Sequence, residues 1–295
     1  MVTGKKSSNN LGKVLPFSLS QVGGGKIIAV TSGKGGVGKT NISANMALTW
    51  AMEGHKVLAV DCDLGLANMD LILGVIPNYT LKDVLFSDMP VEDAISQTPM
   101  GVDLLPAAAG EEDLANLGSE KHTNFAQILK TLRQHYDYIV LDTGAGVHSN
   151  VTQIASIADF VLLVTTVEPT ALSSAYAMIK ILGTQKEKNP IGVVLNMVSS
   201  GREGLSAWQA LTSLTRRFLN SEPEYFGHIY QDSSVPKAVQ KTYPLVKIYP
   251  RSPSARCLQA TAAKIRIALG KQKLRGGMVT ARGAEGHGRE VIRWS

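Results

Sequence analysis

Of all the features in this chain, the stretch Gly33-Lys34-Gly35-Gly36-Val37-Gly38-Lys39-Thr40 constrains the fold most. It satisfies the pattern G-x-x-x-x-G-K-[ST], follows the apolar run Lys26–Ser32 and precedes Asn41–Glu53, a segment of helical composition. A strand, a glycine turn and a helix in that order open a parallel α/β unit. The glycines are required because the backbone must wrap a phosphate group and aim its N–H groups inward, helped by the positive end of the following helix. In that setting Lys39 would bridge the outer phosphates of a nucleotide, and the Thr40 hydroxyl would hold Mg²⁺. Lys34 goes beyond the ordinary requirement. A cation at that position can reach a nucleotide held by a second copy of the chain and neutralise charge during phosphoryl transfer.

The alternation continues after this unit. Lys56–Asp61, Val102–Leu105, Tyr138–Asp142, Phe160–Thr165, Ile191–Asn196 and Tyr225–Ile229 read as strands, with helical stretches at Asn124–Gln134, Leu172–Leu182 and Leu205–Leu219. Strands separated by helices need crossover connections, so the reading is α/β: a doubly wound, mostly parallel sheet with helices on both faces. Pro253-Ser254 opens a last helix in which Leu258, Ala262, Ile265 and Leu269 share one face, and Gly270 is expected to end it. Residues 26–270 thus form one domain. Residues 1–25 mix Ser, Asn, Gly and Lys and read as a flexible basic lead; 271–295 read as a basic, glycine-rich tail, disordered over 276–288.

The 295-residue chain is 44% hydrophobic, enough for a full core, which excludes a wholly disordered protein. No apolar run approaches the ~20 residues of a spanning helix, and residues 1–26 lack the apolar stretch of a secretory signal. Two cysteines, Cys62 and Cys257, are too few for a disulfide framework or a four-thiolate metal site. A protein of the reducing cytoplasm is expected. The net charge of +6 is uneven: residues 1–26 hold four lysines and no acid, and eight basic residues face two acids from Lys264 onward, leaving a mildly acidic middle. Basic tails suit anionic lipid, nucleic acid or an acidic protein face. In the terminal Arg289–Ser295, Val291, Ile292 and Trp294 lie beside Arg289 and Arg293, a small candidate membrane contact.

Three acids complete the candidate site. The second strand ends in Asp61-Cys62-Asp63, and alternation puts both carboxylates on one side, facing the loop at the carboxyl edge of the sheet. One can steady the waters of Mg²⁺ and the other can orient an attacking water. Asp142, at the end of the apolar run Tyr-Ile-Val-Leu, suits the second metal-shell position of a phosphate-loop NTPase. The six histidines show no metal-ligand spacing, and only His148 follows the site closely in sequence.

Taken together, Lys34–Thr40, Asp61–Asp70 and Asp142-Thr-Gly-Ala-Gly146 resemble the MinD/ParA ATPases with a deviant Walker A loop. The similarity is greatest to their flagellar-number regulators of the FlhG/FleN type. It continues through Leu105–Gly110, Glu168-Pro-Thr170, Ala175–Lys180, Asn196-Met197, Val235–Lys241 and Pro250-Arg-Ser252. By position, the resemblance implies that Lys34 acts in trans, Asp63 positions the hydrolytic water, Asp61 supports the switch segment and Asp142 binds Mg²⁺ through water. It further implies nucleotide binding by Gly33–Asn41, adenine reading at Asn196, and an approach of Glu168 to the partner's ribose. The family's Ile-Pro-x-Asp adenine wall reads Ile229-Tyr230-Gln231-Asp232 here, without the proline. An acidic N-terminal Asp-Gln-Ala-x-x-Leu-Arg element is absent from residues 1–25, which puts stimulation of a partner GTPase in doubt.

The implied activity is slow, switch-type hydrolysis of Mg·ATP by a homodimer that controls flagellar number and placement, with reversible association with the inner membrane in the ATP state. Implied partners are the flagellar GTPase FlhF, switch-ring proteins or a flagellar transcription regulator. A MinD-like division-site regulator and a ParA-like DNA segregation ATPase are the alternatives. A nitrogenase-type reductase would need cluster cysteines that Cys62 and Cys257 do not match.

Overall fold

The computed structural model describes residues 24–63, 68–87, 89–107, 118–184 and 189–283. The amino-terminal half runs β1 (Lys26–Ser32), α1 (Lys39–Met52), β2 (Val57–Cys62), α2 (Met69–Leu73), α3 (Leu81–Phe86), α4 (Val91–Ala94), β3 (Ser96–Gln97), β4 (Asp103–Leu105) and α5 (Ser119–Leu132). There follow β5 (Tyr138–Ala145), α6 (Ser149–Ile157), β6 (Phe160–Thr165), α7 (Pro169–Gly183), β7 (Ile191–Val198) and α8 (Gly201–Leu219). The chain closes with β8 (Glu224–Tyr230), α9 (Ser234–Gln240), α10 (Leu245–Ile248) and α11 (Pro253–Gly283).

The strands form one eight-stranded sheet in the order β3-β4-β2-β5-β1-β6-β7-β8. Every pairing is parallel except β3 with β4. Such a sheet must be covered on both faces, and alternation along each strand sorts its side chains between two cores. Ile27, Ala29, Leu58, Val60, Ile139, Leu141, Val161 and Leu163 point to the face packed by α5, α6, α7 and α8. Ile28, Val30, Ala59, Val140, Leu162 and Val164 point to the opposite face, which takes α1 and α11. Trp50 of α1 is fully buried there and donates its indole N–H to the Ala262 carbonyl of α11, 3.2 Å away. The doubly wound α/β reading is therefore correct.

The edge strand β8 is screened by the last helix. Lys264 hydrogen-bonds the Tyr225 carbonyl, and Ser254 Oγ donates to the Tyr230 carbonyl at 2.7 Å. Lone edge carbonyls invite pairing with another chain, so these side chains blunt that hazard.

One boundary departs from expectation. Gly270 does not end α11, which continues to Gly283 and takes in part of the segment expected to be disordered. A glycine inside a helix costs only about 1 kcal/mol relative to alanine. Its neighbours Ala268, Leu269, Lys271, Gln272 and Lys273 all favour helix. The expectations for residues 1–23 and for the terminal Arg289–Ser295 lie outside the described residues.

Candidate nucleotide site

At the carboxyl edge of β1 the chain turns through Gly33–Gly38 before α1 begins. Gly38 caps α1 with φ +93°, a left-handed backbone that L side chains resist, and no side chain caps the helix. The first N–H groups of α1 are consequently left for a ligand, the arrangement that makes a helix N-terminus attract phosphate. Gly33 is glycine for another reason: a Cβ there would stand 2.2 Å from the Ser174 carbonyl oxygen of α7. Ser32 Oγ donates to the Lys34 carbonyl at 2.8 Å and fixes the start of the turn.

Lys39 is buried, and the three acids lie at different depths, Asp61 and Asp142 buried and Asp63 half-buried. Asp142 is fully buried. Ser43 Oγ, one helical turn beyond Lys39, donates to its Oδ1 at 2.9 Å, and Asp142 Oδ2 has no hydrogen-bond partner among the described residues. Asp61, its register partner on β2, accepts three backbone bonds: Oδ1 takes the Asp63 N–H at 3.0 Å, and Oδ2 takes the N–H groups of Asn68 and Met69, each at 3.2 Å. Asp61 thereby ties Asp63 to the start of α2 at Asn68 and Met69. Asp63 stands on the wall of a cavity of about 520 Å³ over the loop, shared with Gly35, Gly36, Lys39, Thr40 and Asn41.

Burial pushes the carboxyls of Asp61 and Asp142 above the ordinary range. For Asp61 the neighbouring Asp142 charge adds to the rise, while its three backbone N–H bonds oppose it. For Asp142 the Lys39 ammonium and the Thr40 and Ser43 hydroxyls oppose it. A buried, electron-rich oxygen without a partner, close to a hydroxyl and a lysine, is a place where a hard cation relieves strain. No group of three or more His, Cys, Asp or Glu side chains that could cage a metal occurs among the described residues. Mg²⁺ prefers one or two protein oxygens plus phosphates and water to a protein cage. Thr40 and Asp142 suit it. Asp61 has both oxygens engaged by backbone N–H groups, with acceptor capacity left only on Oδ1.

Lys34 does not point into its own site. Its Nζ lies 2.5 Å from Glu168 Oε2 and 3.2 Å from Thr170 Oγ1, at the N-terminus of α7. Both partners are substantially exposed, so the ion pair is weak and exchangeable. Asn196 is close to the loop, donating from Nδ2 to the Val37 carbonyl at 2.7 Å. The Asp232 carboxylate accepts the N–H groups of Ser234 and Ser254 and links α9 to α11. Asn196, Glu168 and Asp232 are not among the residues lining the cavity, whereas Leu71, Met197, Val239 and Thr242 are.

A family model described as "AAA domain" matches residues 25–192, more than half of the chain. The antiactivator FleN of Pseudomonas aeruginosa is 40% identical over 81% of this chain and 86% of its own length. The chain belongs to the MinD/ParA family of ATPases. The flagellum site-determining protein YlxH of Helicobacter pylori is 37% identical over 77% of each chain. Among solved structures, the septum site-determining protein MinD of Pyrococcus horikoshii, complexed with Mg-ADP, superposes with a TM-score of 0.70 at 30% identity. That match covers 81% of this chain and 95% of that one. This chain is a MinD/ParA-type ATPase of the FlhG/FleN kind.

Sequence reading assigned no role to Ser43, Leu71, Val239 or Thr242. The sequence signal for Ser43 is its spacing, four residues after Lys39 on one helix face, which puts it beneath the loop. Val239 lies in the matched segment Val235–Lys241 without an assigned role, and Leu71 and Thr242 carry no motif, since they meet the loop only through the fold.

Proposed function

We propose that this ATPase is a nucleotide-gated dimer switch that sets the number and placement of flagella. Lys39 and the loop N–H groups hold the phosphates, Asp63 orients the attacking water, and Lys34 of each copy reaches the nucleotide of the other. Mg²⁺ held at Thr40, with Asp142 behind it, would supply charge neutralisation between the outer phosphates. Asp61 acts on this site indirectly, by anchoring the segment that carries Asp63.

The observation that carries the reading is the position of Lys34. It stands in the loop itself yet lies outside its own cavity, on an exposed and exchangeable ion pair with Glu168. A lysine so placed is available to a facing copy at little cost. The flagellar assignment draws on the likeness to FleN and YlxH, which extends beyond the part matched by the family model. A flagellar transcription regulator, the GTPase FlhF and switch-ring proteins are the proposed partners. Contact with an anionic membrane surface through the basic tails is proposed for the ATP state; no described helix is long and apolar enough to cross a membrane.

Phosphate release measured against protein concentration tests the dimer requirement. Turnover per chain should rise with concentration and then level off, because each site borrows a lysine. A turnover per chain independent of concentration, from well below to well above the dimerisation range, would reject the trans reading.

A further inference from the structure

β1 is apolar from Ile27 to Val30 and β5 from Ile139 to Leu141, up to the point where each strand meets the site. There two threonines face one another in the interior. Thr31 and Thr143 are both fully buried, so each hydroxyl forgoes water, a cost that valine at the same place would avoid.

The strand register shows what surrounds them. Val30 pairs with Asp142 and Ser32 pairs with Ala145, so Thr31 alone stands opposite two residues of β5, Thr143 and Gly144. This is a β-bulge, uncommon between parallel strands, and bulges beside a site re-aim the chain that follows. It begins immediately after Asp142. Thr143 Oγ1 lies 3.0 Å from Thr31 Oγ1 and 2.9 Å from the Gly144 carbonyl oxygen. A hydroxyl has one hydrogen and a carbonyl can only accept, so Thr143 donates to Gly144 and Thr31 donates to Thr143. The next residue of β1 holds the far end: the Ser32 carbonyl accepts the Gly146 N–H at 2.9 Å. Between these two ties the backbone runs beside Asp63. A Cβ placed on Gly144 would be 3.8 Å from Asp63 Oδ1, and Ala145 lines the cavity over the phosphate loop.

We infer that Thr31 and Thr143 are positioning residues for hydrolysis: their hydroxyl chain holds the β5 bulge in the shape that keeps Gly144 and Ala145 against Asp63. Both are buried, so they act through that backbone and not on the nucleotide. The inference rests on the reading of Asp63 as the group that orients the attacking water. Lys39, Thr40 and the loop N–H groups hold the nucleotide from β1 and α1, so a slack bulge slows the chemical step without loosening ATP.

Phosphate release at saturating ATP, beside calorimetric affinity for Mg·ATP, tests this. Thr143→Val removes the hydroxyl at nearly constant shape; turnover should fall about tenfold while affinity stays within about twofold. Thr143→Ser keeps the hydroxyl and should turn over within about threefold of the parent. Thr31→Val reaches the same chain from the other strand, so a folding defect at position 143 would not decide the matter; it should cost about threefold in turnover. The double valine variant should fall about tenfold, where independent effects would multiply to about thirtyfold. Parent-like turnover of Thr143→Val, an equal loss in Thr143→Ser, affinity falling in step with turnover, or multiplying losses in the double variant would overturn the inference. Asp63→Ala runs in the same assay: a parent-like rate there would overturn the reading of Asp63, and this inference with it, whereas a slow Asp63→Ala beside a parent-like Thr143→Val would overturn this inference alone.

Discussion

Asp61 and Asp142 are register partners on adjacent strands, yet their surroundings give them different work. Three backbone N–H groups bond Asp61, whereas Asp142 Oδ2 is buried with no hydrogen-bond partner among the described residues. Because burial raises both carboxyls, the folded protein holds protons that the unfolded chain has already released. Stability contributed by these groups is therefore greatest near pH 4, where unfolded carboxylates titrate, and declines as pH rises toward neutrality. Asp142→Asn removes the buried charge. The nucleotide-free variant should melt a few degrees above the parent at pH 8, with the difference shrinking toward pH 5, and should bind Mg·ATP at least tenfold more weakly. Melting curves across that pH range and calorimetry at pH 8 check both halves. The loop and its three acids are legible in the sequence because each is a fixed residue type at a fixed offset from a strand end. Ser43 and Thr31 are not, since a hydroxyl under a loop and a hydroxyl facing a bulge acquire their roles from contacts distant in sequence.

At the level of elements, β1, β2, β5, β6 and β7 are legible for a physical reason: burial on both faces makes each a largely apolar run. Short pieces such as α2, α3, α4, β3, α9 and α10 are not, because two to seven residues carry too little periodicity to register. The end of α11 eludes sequence reading too, because glycine lowers helix stability without forbidding it. The contact between the loop and α7 is likewise invisible in sequence, although it joins the phosphate site to the helix whose N-terminus holds Lys34. It yields a sharp expectation. Gly33→Ala drives a methyl into the Ser174 carbonyl, so the loop or α7 must shift. The variant should lose about 1–3 kcal/mol of stability in denaturant unfolding and bind Mg·ATP at least tenfold more weakly. Parent-like values for both would mean that the loop and α7 are not tightly packed in solution.

The molecule as a whole is a rigid sheet that presents a phosphate loop, two buried acids and an exchangeable lysine along one edge, with basic tails at either end of the chain. Lys34 pairs with Glu168 and does not line the cavity over its own loop, and that makes the proposed pairing of two copies the central claim. The most direct measurement is molar mass by light scattering, in ATP and in ADP, for the parent, Asp63→Ala and Lys34→Ala. Asp63→Ala leaves Lys39, Thr40 and Asp142 to hold the nucleotide and removes the carboxylate that orients water, so ATP should persist. It should run as a dimer in ATP and a monomer in ADP, with phosphate release cut at least a hundredfold. Lys34→Ala should bind ATP and remain a monomer. A monomeric Asp63→Ala protein in saturating ATP, or an intact ATP dimer of Lys34→Ala, would contradict the account.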